Sequence, residues 1–405
     1  MLTLIKNFII WLVVLLIIFV VYSVCLGRIY ANKDLQKAAK FYPGYSEVLF
    51  KTNEQLLTNW SERNTQEIEI NSIRALHQAP MSFKPFLHLA RMRNFQKRRD
   101  EARRLFSEVK SRNIRSRRAL VALLDLDIYD NNLKGVIENL DILLGLNAKE
   151  ENKELYHKLL TEVSFSPEAR IELDKLLEIR PPWGPKYLFN QIEVMTEENF
   201  LEIGTSLKIY TQAENKRNVD DVLNATYLKK LTRMKKINEA HNYWKLLSES
   251  VTNNEPEFLY NSQFEKTRAL PPFNWSEIAK AEYFSEIDEE GGLYASYRDR
   301  DDRTLTEQVL ILNPGDIYKL EIEAEWSYRQ RQGQFFWIIT CLQSSTVISR
   351  IDLNDDAKSL SGGEHTFQVP VEGCTYQNIR LVAKTGEYSK RIWSRTNSIK
   401  LDRVQ

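Results

Sequence analysis

Residues 8–26 contain no charged side chain and are almost entirely aliphatic or aromatic. At ~1.5 Å per residue, 19 such residues cover about the hydrocarbon thickness of a bilayer. A buried core helix seldom runs so far without a polar face. A cleaved signal peptide has a shorter apolar stretch and a small-residue cleavage site, whereas this one ends in Tyr22-Ser23-Val24-Cys25-Leu26. Lipoprotein processing at Cys25 would want a small residue where Val24 stands. The expectation is an uncleaved transmembrane anchor over residues 1–30. Lys6 precedes it, and Arg28, Lys33, Lys37 and Lys40 follow, so flanking charge by itself favours a cytoplasmic body.

The remaining chain changes character near residue 256. Five glycines fall between residues 31 and 256 and eight after it, as expected for a helical region followed by strands and turns. Lys and Arg total 56 against 55 Asp and Glu, so no global charge points to nucleic acid. A hydrophobic fraction of 43% excludes a disordered chain. The domain expectation is an anchor (1–30), a helical domain (31–255) and an all-β domain (256–405).

The helical part repeats with a period of 34. Phe86 pairs with Leu120, Leu89 with Leu123, Ala90 with Leu124, Ala102 with Val136, Phe106 with Leu140 and Val109 with Leu143, each pair 34 apart and apolar in both copies. The pattern resembles the helix pairs of tetratricopeptide repeats, well over 83–148, fairly over 217–250 and weakly elsewhere. Leu133, Val136, Ile137, Leu140, Leu143 and Leu144 give one apolar helical face, started by Asn131-Asn132 and stopped by Gly145. Pro181-Pro182-Trp183-Gly184-Pro185 interrupts the pattern, and residues 33–80 read as a divergent first hairpin. Stacks of this kind present a concave surface to protein partners.

Between residues 91 and 118 twelve Lys or Arg face three carboxylates, a local excess of nine. Arg98, Arg99, Arg103, Arg104, Arg115, Arg117 and Arg118 are candidates for an anion-binding strip. The alternative is a solvated helix face balanced by neighbouring repeats. Nucleic acid is disfavoured, because no aromatic residues are interleaved for base stacking.

Beyond residue 256 the period becomes two. Tyr318, Leu320, Ile322, Ala324 and Trp326 alternate with Lys319, Glu321, Glu323 and Glu325, one apolar face and one charged. Strands are expected at 305–312, 334–342, 364–371, 377–384 and 397–404, with turns at Asn313-Pro314-Gly315-Asp316 and Gly362-Gly363. The expected fold is a jelly-roll β-sandwich. Cys341 and Cys374 both lie here; they form a disulfide if this part is exported, or two buried free thiols otherwise.

Asn261-Ser262-Gln263-Phe264-Glu265, then Phe273-Asn274-Trp275, Pro314-Gly315-x-x-Tyr318 and Ile399-Lys400-Leu401-Asp402-Arg403-Val404 resemble carbohydrate-binding-module-like sandwiches. More narrowly, Trp337-x-x-x-Cys341 and Phe367-x-Val369-Pro370-x-x-x-Cys374-x-x-Gln377-x-x-Arg380-Leu381 are similar to a bacterial group encoded near exopolysaccharide biosynthesis genes, in which tetratricopeptide repeats precede such a sandwich. The resemblance covers about residues 80–405 and departs at Ser262-Gln263, where two glycines are usual. It implies a structural calcium between Glu265 and Asp402, whose oxygens suit that ion, and sugar stacking on exposed rings. Trp275, Trp326 and Trp337 are expected in the core, and Tyr297 and Trp393 at the surface as sugar-stacking candidates.

The sequence carries no nucleophile elbow, P-loop, dinucleotide fingerprint or zinc-ligand spacing. The five histidines are scattered and the paired carboxylates sit in turn-like stretches. The resulting expectation is a non-catalytic protein of a Gram-negative inner membrane. Its body is periplasmic, its repeats hold a partner of exopolysaccharide synthesis or export, and its sandwich contacts the polymer. The alternatives are a general envelope scaffold and a carbohydrate-active enzyme.

Overall fold

The computed structural model describes the chain apart from residues 1, 32, 43–44, 147–149, 212–217, 249–257, 268, 300, 328–332, 354–358, 386–390 and 405. It divides into two compact units, Met1–Tyr187 and Leu188–Gln405.

The first unit holds α1 (Leu2–Tyr30), α2 (Leu35–Phe41), α3 (Ser46–Thr58), α4 (Thr65–Gln78), α5 (Lys84–Phe95), α6 (Arg99–Arg112), α7 (Arg117–Tyr129), α8 (Leu133–Gly145), α9 (Glu150–Val163) and α10 (Pro167–Glu178). In α1 the stretch Trp11–Tyr30 has a mean hydropathy of 2.7 and its side chains are almost all unpacked. That removes the core-helix alternative and leaves a helix long and apolar enough to cross a bilayer.

Helices α3 and α4, α5 and α6, and α7 and α8 pack as successive pairs, and α3 also meets α5. The first helices of the first two pairs therefore stack, as in a solenoid. The 34-residue period is the packing period: Ala90, Ala102, Phe106, Val109, Leu120, Leu123, Leu124, Val136, Leu140 and Leu143 are buried. Phe86 is half-buried, and its ring takes the Arg112 guanidinium at 4.3 Å. The turns repeat too. Lys97 (φ 61°) and Asn131 (φ 56°) end α5 and α7 in the left-handed region, which reverses the chain and frees the last carbonyls for closing hydrogen bonds. Asn132 caps α8 by accepting from the Gly135 N–H at 3.3 Å, and α8 stops at Gly145, as the sequence indicates.

Asp127 on α7, 3% exposed, ties three helices together. It accepts from Asn132 Nδ2 at 2.9 Å and Asn139 Nδ2 at 2.8 Å, and it pairs with Arg103 of α6. Arg103 also reaches Asp130 at 2.6 Å, and Lys110 donates to Asn139 Oδ1 at 2.8 Å. A buried carboxylate is tolerable only when its lone pairs are filled in this way.

Helix α11 (Gly184–Glu193) follows the proline-rich break. The second unit continues with α12 (Phe200–Thr211), α13 (Asn218–Arg233) and α14 (Ile237–Ser248). Within it α14 meets the sandwich: the Trp244 indole N–H donates to the Leu270 carbonyl at 2.8 Å, with the Tyr260 and Phe273 rings at 4.9 and 5.7 Å. Burial, reinforced by Lys245, holds the His241 imidazole down at about 4.

The strands are β1 (Ile278–Ala279), β2 (Tyr283–Ile287), β3 (Leu293–Tyr297), β4 (Arg303–Leu310), β5 (Ile317–Trp326), β6 (Gly333–Cys341), β7 (Val347–Leu353), β8 (Ser359–Gln368), β9 (Gln377–Thr385) and β10 (Ile392–Arg403). They form two antiparallel sheets ordered β1-β2-β3-β10-β5-β8 and β4-β9-β6-β7. Alternation along β5 buries Tyr318, Leu320, Ile322, Ala324 and Trp326; Trp275 and Trp337 lie in the same core.

Gly362-Gly363 is not the turn expected from sequence. Both glycines lie inside β8, where Gly363 pairs with Ile322, and the register shifts between Ile322 and Ala324. The physical reason is that a bulge, like a turn, draws on residues without a Cβ.

Candidate functional site: an aromatic ledge on the sandwich

Strand parity decides which rings face solvent. On β3, Leu293, Ala295 and Tyr297 point inward and join the core, so Tyr294 and Ser296 share the outer face. The register pairs Phe284 of β2 and Trp393 of β10 each with Ser296, and Glu286 and Arg395 each with Tyr294. Three rings therefore form a row across adjacent strands. Tyr294 lies 5.8 Å from Phe284 and 6.4 Å from Trp393 between centroids, the latter pair nearly parallel at 21°. Trp393 is 37% exposed. Its backbone is held to the end of β5 by N–H donation to Ser327 Oγ at 2.8 Å and acceptance from the Ser327 N–H at 2.8 Å.

Polar groups flank the row. Arg395 reaches Asp288 at 2.8 Å and the Gly291 carbonyl at 3.1 Å, while its Nε is buried without a partner. Beyond Phe284 a cleft of about 600 Å³ opens along β1 and β2, bounded by Ile278, Lys280, Phe284 and Glu286. Apolar faces next to a few oriented polar groups are what a ring-shaped, hydroxylated ligand needs.

Of the two stacking residues named from sequence, Trp393 stands in this row and Tyr297 does not. Tyr297 is 2% exposed, and its hydroxyl donates to the Asp301 carbonyl at 2.8 Å; the even spacing from Leu293 places it on the core side. Phe284 and Tyr294 went unrecognised, although the apolar triplet Leu293, Ala295, Tyr297 already implies that Tyr294 faces out.

Among the described residues no group of three or more His, Cys, Asp or Glu converges as metal ligands, and Asp402 pairs with Lys400 at 3.3 Å. Cys341 and Cys374 are joined as a disulfide and buried.

Part of the arginine strip is ion-paired where it stands. Arg98 pairs with Glu101, Arg103 with Asp127 and Asp130, and Arg118 with Glu54. Arg99 lies over the Tyr129 ring at 3.5 Å. Arg104 and Arg115 are exposed. Arg103 and Arg118 thus join helices, Arg98 pairs with a carboxylate of its own helix, and Arg115 and Arg117 line a cleft with Gly145 and Leu146.

A second concavity lies in the first unit, between α3, α5 and the start of α7. This cavity of about 330 Å³ has Phe50, Phe83 and Leu87 in its walls, with Lys51, Lys84, Arg117 and Arg118 against Glu47 and Glu54. Glu54 accepts from Arg91 at 2.9 Å and Arg118 at 2.6 Å, and faces His88 Nε2 at 3.2 Å. An ionised carboxylate can only accept, so Nε2 carries the proton. The His88 hydrogen bond, with Arg91 and Arg118, holds Glu54 down at about 2. Its ionised form therefore stabilises the fold above pH 4.5, the usual carboxylate value, and that stability drains away as pH falls toward 2. Glu54→Gln should flatten this acid limb, read as amide exchange in α3 and α5 across the titration; an unchanged limb would refute the assignment.

No family model and no curated protein matches the chain. Among solved structures, a carbohydrate-binding module of family CBM4 aligns at 15% identity and a TM-score of 0.27, covering 36% of this chain and 99% of the module. A tetratricopeptide repeat protein from Parabacteroides merdae aligns at 16% identity and 0.28, covering 58% and 94%. Pseudomonas aeruginosa pilF aligns at 12% and 0.26, covering 52% and 93%.

Proposed function

We propose that the chain is a membrane-tethered binding protein whose sandwich holds a glycan on the Phe284–Tyr294–Trp393 ledge and whose helical array holds a protein partner. The observation that carries it is the row of half-exposed rings on adjacent strands, since rings on a sheet surface are normally buried or scattered. The cavity beside Glu54 offers the helical array a place for a partner side chain with an apolar body and an anionic end. In this reading the protein binds and assembles rather than catalyses, and the polymer is an exopolysaccharide. The body lies on the periplasmic side of the inner membrane, where the Cys341–Cys374 bond is chemically at home.

Isothermal titration against neutral and acidic oligosaccharides tests the ledge. Trp393→Ala and Tyr294→Ala should each weaken binding about tenfold, ~1.4 kcal/mol for a lost stacking face, while Tyr297→Phe leaves it unchanged. No binding by the wild-type chain, or equal affinity in all three variants, would sink the reading. Protease protection of the body in spheroplasts would overturn the periplasmic placement.

A further inference from the structure

The chain immediately after the apolar span does not leave as a free linker. Ala31, Ala38 and Val48 form a small buried cluster with Tyr30, Leu35 and Tyr45 packed on it, so α2 and the start of α3 fold back onto the last turn of α1. Gly27 permits this close approach: a Cβ there would lie 2.7 Å from that of Tyr42. Asp34 starts α2 by accepting the Lys37 N–H at 3.0 Å, and Tyr30 stacks on Phe41 at 5.8 Å.

This knot fixes the positions of charges that a linker would leave loose. Arg28, Lys33, Lys37 and Lys40 are all exposed, and Asp34, which caps α2 and pairs with Lys37 at 3.5 Å, is the one carboxylate among residues 27–45. Arg28 and Lys37 each lie 5.9 Å from a tyrosine ring, of Tyr45 and Tyr30. Tyrosine and phenylalanine gathered with basic residues at the end of a span are suited to the headgroup layer, where rings sit at the apolar boundary and cations meet phosphate.

We infer that the last turn of α1, α2 and the start of α3 form a collar that binds anionic phospholipid headgroups. The inference rests on the reading that α1 crosses the bilayer. Each lysine engaged should favour an anionic over a zwitterionic lipid about fivefold, and added salt should reduce the preference.

The full chain, reconstituted in nanodiscs of equimolar phosphatidylcholine and phosphatidylglycerol and then extracted in mild detergent, provides the test. Mass spectrometry of the co-purifying lipid should show phosphatidylglycerol enriched. The K33Q/K37Q/K40Q variant, altered at exposed positions, should lose that enrichment while keeping the wild-type helix content by circular dichroism. Equal recovery of the two lipids by the wild-type chain, or enrichment that survives in the variant, overturns the collar. Failure to enter nanodiscs overturns the membrane reading and the collar together, whereas insertion without enrichment overturns the collar by itself.

Discussion

Asp127→Ala should cost the helical array about 1–3 kcal/mol, because it leaves buried amide donors without their acceptor. The aspartate, 3% exposed, accepts from Asn132, Asn139 and Arg103. Alanine would leave Asn139, itself 2% exposed, with unfilled donors in a dry setting. Arg103 would keep Asp130 but lose its tie to the middle of α7. The effect should appear as lost amide-exchange protection across residues 99–145. Asp127→Asn should also lose protection, because both aspartate oxygens accept from N–H donors and the amide NH2 would face one of them. Undiminished protection in Asp127→Ala would show that the network is not what joins α6, α7 and α8.

The second large effect concerns the sandwich. Cys341 ends β6, and Cys374 lies in the segment between β8 and β9, 33 residues on. Cross-linking a loop of that length lowers the entropy of the unfolded chain by about 3–4 kcal/mol. Cys374 also sits in a hydrogen-bonded corner, where Gln377 donates to its carbonyl at 2.6 Å and accepts the Leu312 N–H at 2.9 Å. A Cys341→Ser/Cys374→Ser chain should therefore show earlier loss of the near-ultraviolet circular dichroism signal from the core tryptophans. The same shift should follow from reducing the native chain. An unchanged midpoint in the double variant would mean that packing across the two sheets suffices without the bond.

Much of the architecture was legible because burial imposes a period. The 34-residue echo from Ala102 to Val136 and from Phe106 to Leu140 is a packing constraint written twice, and all four side chains are buried. The alternation from Tyr318 to Trp326 was equally readable, since one face of β5 meets the opposite sheet. Glycine was less informative: Gly315 does sit in a turn at φ 88°, while Gly362 and Gly363 lie within β8. The left-handed turns at Lys97 and Asn131 repeat at the same 34-residue interval, but lysine gives no signal for such a conformation.

The long apolar helix near the N-terminus, the repeat and the two-faced strands were determined by sequence alone, because hydrophobic length and period act locally along the chain. Tertiary structure decided the rest. It placed Trp393 beside Tyr294 and Phe284, from strands about a hundred residues apart, and turned Tyr297 into the core. It paired Arg91 and Arg118 with Glu54 and Arg103 with Asp127 and Asp130 on other helices, and it folded α2 back onto the end of α1. Each of these depends on strand register or on which helices meet, and neither quantity is carried by composition or local spacing.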